Sequence, residues 1–254
     1  MIFRTDMPKK RLITVLTFNN GVLYRTKQFN PDYRYTSNFV DCWSVDEIIA
    51  IDVTRPGQGK RENFLKAVRD LSKKCFVPLT AGGGIRTPAH VEQLLRCGAD
   101  KVSVNHLTLH QPAMVSDLAK KYGSQCIVGS VDVKRCDDST FEVFSDFGLT
   151  PTGLSPCKQM EALHNMGVGE CLLSSIDRDG SLLGYDLDLC EMVANAAKFP
   201  VVVLGGAGNW AHMLDVFSKT KVSGCCTQNI YHFTETSIRS AKAYLVERGV
   251  NVRH

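Results

Sequence analysis

One carboxylate lies near the carboxyl end of a predicted buried strand, where enzymes often place catalytic groups. Asp132 follows the apolar run 127–131 and precedes a basic pair. A carboxylate in this position can act as a general acid or base once its surroundings tune its pKa. In a parallel barrel its partner would follow the first strand, residues 11–16, yet position 17 is a threonine. The sequence predicts a catalytic Asp132 whose usual partner is replaced by Thr17.

Two glycine clusters could bind phosphate groups. Residues 82–84 are three successive glycines, and residues 205–208 read Gly-Gly-Ala-Gly. Glycine lets the backbone approach a ligand and point its N–H groups at an anion. Asn105 and Asn229 end the following strand in each case. These matching positions predict two phosphate sites, with plain turns as the alternative.

Two further carboxylates fall on the same predicted face. Asp179, followed by Gly180, comes after one apolar run, and Asp52 comes at the end of another. Barrel enzymes keep their sites at the carboxyl ends of their strands. Both carboxylates are therefore candidate site residues, although an Asp-Gly pair is also common in a simple capped turn.

Four charged residues begin strands at the opposite end. Two are cations and two are anions, so they could pair around the barrel axis where a lone buried charge would be costly. The alternative is a set of solvated strand starts. The four residues are Arg11, Glu47, Lys101 and Glu170.

The elements that must position these residues repeat regularly. Eight apolar, β-branched runs alternate with stretches whose apolar residues recur three and four positions apart, as in amphipathic helices. This pattern predicts a closed (β/α)8 barrel, with a doubly wound open sheet as the alternative. The runs are residues 12–16, 48–53, 76–81, 101–104, 127–133, 171–176, 201–204 and 225–228.

The two halves of the chain also resemble each other. In each half a glycine cluster is followed by a histidine and then by an asparagine, at nearly the same spacings. This repeat predicts a duplicated half-barrel. We expect one domain, residues 1–254, with halves at about 1–122 and 123–254. The composition of residues 29–43 predicts a long mobile loop after the first strand.

Composition limits the possible functions. The chain has 254 residues and a formal charge of +4, which is too small for a nucleic-acid protein but suits an acidic small molecule. Ten cysteines without a C-x-x-C spacing predict reduced thiols rather than disulfides or zinc. No signal peptide or membrane span is visible, so we expect a cytoplasmic protein with no metal, no cofactor, and neither nucleic acid nor membrane as a partner.

Four sequence strings make a family resemblance specific. Residues 97–105, 131–135, 175–180 and 248–253 resemble the cyclase subunit of imidazole glycerol phosphate synthase, and the similarity runs from residue 11 to residue 253. The resemblance implies a two-phosphate (β/α)8 barrel docked on a glutaminase. Ammonia released at the base of such a barrel passes along its axis to a ribulosyl substrate at the top.

The resemblance also assigns roles residue by residue. It implies an ammonia gate formed by the four charged strand starts and a glutaminase contact at Asp100. Arg25 takes the place of the family's flexible-loop lysine. Of the two catalytic aspartates, the second matches Asp132 and the first matches Thr17. Phosphate binding is implied for Gly84, Asn105, Gly180, Gly206 and Asn229.

Three functions remain open. The first is a paralogue that delivers ammonia for the amidination of a nucleotide-linked acetamido sugar in surface-polysaccharide synthesis, which would require a third, ATP-using subunit. The second is an authentic cyclase of histidine biosynthesis, with Asp52 or Asp179 compensating for Thr17. The third is a phosphate-binding barrel without enzymatic activity or a glutaminase.

Overall fold

The computed structural model describes residues 8–34, 44–137, 140–228 and 238–253. Eight of its strands are parallel and form the barrel: β1 (Arg11–Asn19), β4 (Glu47–Asp52), β5 (Leu79–Gly82), β6 (Lys101–Val104), β7 (Ile127–Arg135), β10 (Glu170–Ser175), β11 (Val201–Leu204) and β12 (Gly224–Thr227). The remaining four are β2 (Val22–Lys27), β3 (Asn30–Arg34), β8 (Phe141–Ser145) and β9 (Thr150–Pro151).

Strand pairing closes the barrel completely. The order β10-β11-β12-β1-β4-β5-β6-β7 is completed by a parallel pairing between β7 and β10. In that pairing Glu170 lies opposite Val128 and Ser174 lies opposite Asp132. The predicted (β/α)8 barrel is confirmed, and the open sheet is excluded because the first and last strands of the order are paired.

Helices between the strands cover the outside of the barrel. Capping side chains fix several helix starts: Thr87, Ser155, Asp186 and Asn209 each accept a hydrogen bond from a backbone N–H in the first turn. The helices are α1 (Arg61–Ser72), α2 (Pro88–Arg96), α3 (His106–His110), α4 (Pro112–Tyr122), α5 (Pro156–Asn165), α6 (Leu187–Ala196), α7 (Trp210–Lys219) and α8 (Ile238–Glu247).

Two barrel strands continue beyond the barrel and form hairpins over its mouth. The end of β1 pairs antiparallel with β2, with Thr17 opposite Tyr24, and the end of β7 pairs with β8, with Asp132 opposite Phe144. The strand predicted over residues 127–133 is therefore longer than expected, because it continues to Arg135 and its last residues pair with β8.

Two other predicted boundaries also need correction. The loop predicted for residues 29–43 begins inside a hairpin, since Asn30–Arg34 forms β3 paired with β2; residues 35–43 lie outside the described residues. The third barrel strand begins at Leu79 rather than at residue 76, and Phe76 is 71% exposed. Apolar character alone did not distinguish this exposed side chain from a strand residue.

Apolar side chains fill the barrel on both sides of its wall. The larger cluster packs strands against helices, and a separate one lies along the barrel interior, with Ile13, Val15, Ile49, Val128, Leu172, Val202 and Cys226 as its buried members. An apolar layer therefore separates the two ends of the axis. No helix of the described residues is long and apolar enough to span a membrane.

The cysteines of the described residues are all free thiols. Five are buried, while Cys136 and Cys157 are exposed and two more are partly buried. Burial raises the pKa of the Cys225 thiol to about 12, which keeps it protonated. The thiols of the barrel wall therefore behave as small apolar side chains.

Candidate active site

A cavity with several carboxylates in its wall opens at the carboxyl ends of the barrel strands. It encloses about 180 Å³ beneath the two hairpins. Its wall includes Thr17, Asp132 and Asn105, together with the carboxylates Asp52, Asp146 and Asp179. With Gly84, the structure therefore brings six of the predicted site residues into one pocket.

Asp132 is the pocket residue with the most altered acidity. Burial raises the pKa of its carboxyl to about 7; the nearby Asp179 charge acts in the same direction, whereas hydrogen bonds from Ser174 and Asn105 oppose it. Asn105 Nδ2 donates to Asp132 Oδ2 at 2.8 Å. A carboxyl group with a pKa near 7 can give or accept a proton at neutral pH.

Thr17 lines the same pocket but does not replace a carboxylate. Its side chain is buried, and its hydroxyl donates to the backbone oxygen of Tyr24 on β2. A hydroxyl fixed in this way holds the hairpin against β1. It offers no titrating group near neutral pH.

Asp179 and Asp52 have different local tasks. Asp179 accepts hydrogen bonds from Thr26 Oγ1 at 3.2 Å and from Phe29 N at 3.0 Å, so both of its oxygens hold the β2–β3 hairpin. Asp52 accepts from the backbone N and the hydroxyl of Thr54. Burial raises the pKa of both carboxyls despite these bonds.

The first glycine cluster forms an open part of the pocket wall. Gly84 has a φ of +61°, and a Cβ there would meet only Arg61 Nη1, at 3.5 Å. Arg86 and His106 line the cavity beside it. Burial lowers the pKa of His106, and the charges of Arg86 and His110 act in the same direction. The sequence argument missed Arg86, although it lies only two positions beyond the glycines.

The second glycine cluster lies beside a smaller cavity of about 40 Å³. Gly180, Gly206 and Arg25 line it, and Arg25 Nη2 donates to the carbonyl of Gly180 at 3.3 Å. Gln228, which sequence reasoning also missed, donates to Thr26 Oγ1 at 2.9 Å and ties β12 to the hairpin. Asn229 lies outside the described residues.

The four charged strand starts meet at the amino-terminal end of the barrel. Arg11 pairs with Glu47 at 2.6 Å and with Glu170, while Lys101 Nζ lies 3.2 Å from Glu47 and 2.9 Å from Glu170. We call these four residues the charged ring. Each anion contacts both cations, so the ring is closed.

Mutual pairing offsets the cost of burying these charges. Burial would raise the pKa of Glu47, but Arg11 and Lys101 outweigh it and the pKa is lowered. Burial likewise opposes the charge of Arg11, yet Glu170 and Glu47 raise its pKa. Asp100 lies next to this end, exposed, with Oδ2 accepting from the backbone N of Leu79 at 2.8 Å. Arg11 and Glu47 therefore stay ionised at neutral pH.

Fold and site together define a class: a (β/α)8 barrel with a titrating carboxylate at the mouth of its strands and glycine turns beside it. The family model of the histidine biosynthesis proteins matches residues 15–237. The imidazole glycerol phosphate synthase subunit HisF of Hydrogenobaculum sp. is 39% identical over 208 residues, which cover 82% of this chain and 82% of the relative.

A second relative covers almost the entire chain. The imidazole glycerol phosphate synthase subunit HisF of Streptococcus mutans is 37% identical over 253 residues, or 97% of this chain and 100% of the relative. The chain therefore belongs to the histidine biosynthesis protein family, and the resemblance to the HisF subunits that the motifs predicted is confirmed.

Proposed function

We propose that this protein is a HisF-like synthase subunit that receives ammonia from a HisH-type glutaminase and delivers it to a phosphorylated substrate in the pocket. The observation that carries the proposal is the alignment of two sites on one axis. The charged ring lies at one end, Asp132 lies at the other, and the apolar interior cluster separates them.

Each part has a chemical task in this proposal. The ring admits ammonia by rearranging its ion pairs, and the apolar interior favours neutral ammonia over the ammonium ion. Asp132 accepts a proton from the nitrogen as the new C–N bond forms, which its pKa of about 7 permits. Gly84 and Arg86 on one side, and Gly180 and Gly206 on the other, bind the anionic groups of the substrate.

The replacement at position 17 favours a paralogue over the histidine-pathway enzyme. Because the Thr17 hydroxyl is engaged with the Tyr24 carbonyl, it cannot supply the second acid or base. Loss of such a group typically lowers the rate by about 10²- to 10⁴-fold. We therefore propose that the acceptor is a nucleotide-linked acetamido sugar, converted to its acetamidino form. A third, ATP-using subunit would activate the amide oxygen by transferring a phosphoryl or adenylyl group to it, and that oxygen would leave as phosphate or AMP when ammonia forms the new C–N bond.

The second candidate is the authentic cyclase reaction, which forms imidazole glycerol phosphate and aminoimidazole carboxamide ribotide. It is favoured by the raised pKa values of Asp52 and Asp179, since either carboxyl could exchange a proton in place of the missing aspartate. Asp179 is the weaker substitute because both of its oxygens already hold the hairpin.

One assay separates the two candidates. Purified protein is incubated with saturating ammonium salt and the ribulosyl formimino-carboxamide substrate, and release of aminoimidazole carboxamide ribotide is followed. We expect no turnover. A rate within about a hundredfold of the ~10 s⁻¹ of an ordinary enzyme, abolished in Asp132→Asn, would overturn the paralogue proposal.

A second assay tests the docking on which ammonia delivery depends. With a HisH-type glutaminase present, we expect complex formation by gel filtration and the same complex with Lys101→Met. Absence of any complex with the intact protein would contradict ammonia delivery and favour a phosphate-binding barrel without a partner.

A further inference from the structure

Two aromatic side chains from opposite hairpins lie over the pocket. Phe29 from the β2–β3 turn and Phe147 from the β8–β9 turn both line the cavity that contains Asp132. A Cβ built on Gly148 would come within 3.2 Å of the Phe29 ring, so Phe29 reaches the turn that carries Phe147. The two hairpins therefore meet across the mouth of the barrel.

Arg55, in the loop after β4, contacts both hairpins. Its guanidinium carbon lies 4.1 Å from the centre of the Phe147 ring, and its Nη2 donates to Asn30 Oδ1 at 3.3 Å. A planar guanidinium can stack on an aromatic face while still donating hydrogen bonds at its edge. One side chain thus joins the β4–α1 loop to both hairpins.

The backbone of both turns is strained at the aromatic residues. Gln28 and Phe29 have φ values of +48° and +63°, and Asp146 and Phe147 have +48° and +62°. Glycine and asparagine are the residues that normally occupy such positions, and a bulky side chain there is an outlier. Strain of this kind persists where the surrounding structure imposes it and is frequent at ligand-binding sites.

We propose that Phe147, held in place by Arg55, is a specificity-determining residue that limits the size of the group able to reach Asp132. With the two rings in place the cavity encloses only about 180 Å³. Sites for small molecules commonly measure about 300–1,000 Å³. The space beside Asp132 therefore takes one small ring or acyl group, and the bulk of a larger ligand stays outside Phe147.

Chemical labelling of Asp132 with carbodiimides of two sizes tests this proposal without any substrate. The carboxyl adds to the carbodiimide to give an O-acylisourea, and glycinamide then displaces the urea to leave an amide that peptide mass spectrometry quantifies. The small reagent is ethyl-dimethylaminopropyl-carbodiimide, and the bulky one carries cyclohexyl and morpholinoethyl groups. The measured quantity is the bulky-to-small ratio of labelling rates at Asp132, divided by the same ratio at Asp117, whose side chain is 79% exposed.

We expect Arg55→Lys and Phe147→Ala each to raise this ratio about two- to fivefold, the factor that the loss of one partly exposed cation–π contact corresponds to. Arg55→Lys keeps the positive charge, so a changed charge near Asp132 cannot explain the result. Arg248→Lys is the matched control, because Arg248 stacks on Tyr244 at 3.7 Å on the outside of the barrel. Its ratio should equal that of the unmodified protein.

Two results would overturn the proposal. An unchanged ratio in both variants would mean that Phe147 does not restrict access. An equal increase of both rates would mean that the rings hinder all reagents alike and do not select by size. Phe147→Leu, which keeps an apolar side chain at the turn, repeats the measurement should the alanine variant unfold. The test can fail independently of the proposed amidination reaction, since it uses no ammonia and no sugar.

Discussion

At the scale of single residues, the protonation of Asp132 links the function of the pocket to the stability of the fold. Burial raises the pKa of its carboxyl from 3.8 to about 7. Between these two values the folded protein holds a proton that the unfolded chain releases. The contribution of Asp132 to stability is therefore greatest at acid pH and is lost as the pH rises through this window.

We accordingly expect Asp132→Asn to be more stable than the parent at about pH 8 and nearly equal to it at about pH 4. The gain at the higher pH is at most about 4 kcal/mol, because one pKa unit corresponds to about 1.4 kcal/mol. Urea unfolding of both proteins across this pH range measures it. A difference independent of pH would show that the carboxyl does not titrate in this window.

Thr17 provides a second test at the same scale, because its hydroxyl donates to the Tyr24 carbonyl in a pocket lined by four carboxylates. Thr17→Asp removes this donor and adds a like charge. We expect a loss of about 1–3 kcal/mol, larger at alkaline than at acid pH. Asparagine has the same size as aspartate but keeps a hydrogen-bond donor and is uncharged. Thr17→Asn should therefore lose less stability than Thr17→Asp. Equal losses for the two variants at every pH would rule out charge repulsion.

At the scale of elements, the charged ring couples four strands whose residues are far apart in sequence. Arg11 on β1 pairs with Glu47 on β4 and Glu170 on β10, and its side chain is only 8% exposed, against 20% for Lys101. Removing one member of a buried ion-pair set leaves the others uncompensated. The loss of stability should therefore be larger for the more buried cation.

We expect Arg11→Met to destabilise the protein by about 3–5 kcal/mol and Lys101→Met by less. Denaturant unfolding at neutral pH gives both values. The destabilisation of Arg11→Met should shrink as acid protonates Glu47, since a carboxyl with a lowered pKa contributes stability only at a pH above its protonation range. If both variants lost the same free energy of unfolding, the exposure of the side chain would not determine how much each ion pair stabilises the protein.

The strands show how far sequence patterns determine the elements. The buried runs of the barrel were predictable because parallel strands that are covered on both faces are rich in apolar residues. Residues 127–131, the first part of β7, are an example. The hairpin strands were not, because Val22–Lys27 and Asn30–Arg34 are mixed and partly exposed. Their register depends on contacts with Asp179 and Gln228, which are about 150 to 200 positions away.

At the scale of the whole molecule, the site residues at the ends of strands could be predicted from the sequence. The site residues on loops could not. The charged residues at strand starts and Asp132 near a strand end follow from the barrel geometry, which fixes their positions. Arg86 and the pair formed by Arg55 and Phe147 lie on turns, whose approach to the pocket only the folded chain reveals. Loops carry the features that distinguish members of one fold.

In the proposed function the glutaminase docks at the base of the barrel and the substrate binds at the opposite end, so a change at the base should leave the pocket unaffected. Asp100 is exposed beside the charged ring, and its carboxylate accepts a hydrogen bond from Leu79 N. Asp100→Asn keeps an acceptor for that bond and removes only the charge. If a HisH-type glutaminase docks at this face, its affinity should fall about two- to fivefold, with a steeper loss in the association rate at low salt.

Asp117→Asn is the matched control, since that carboxylate is 79% exposed on α4 on the outside of the barrel. Its affinity for the glutaminase and its unfolding midpoint should both equal those of the parent, and Asp100→Asn should share the unchanged midpoint. Surface-immobilised glutaminase at two salt concentrations gives the rates. If Asp100→Asn binds as the parent does at both salt concentrations, the partner docks without this charge, and Asp100 serves only to hold the start of β5.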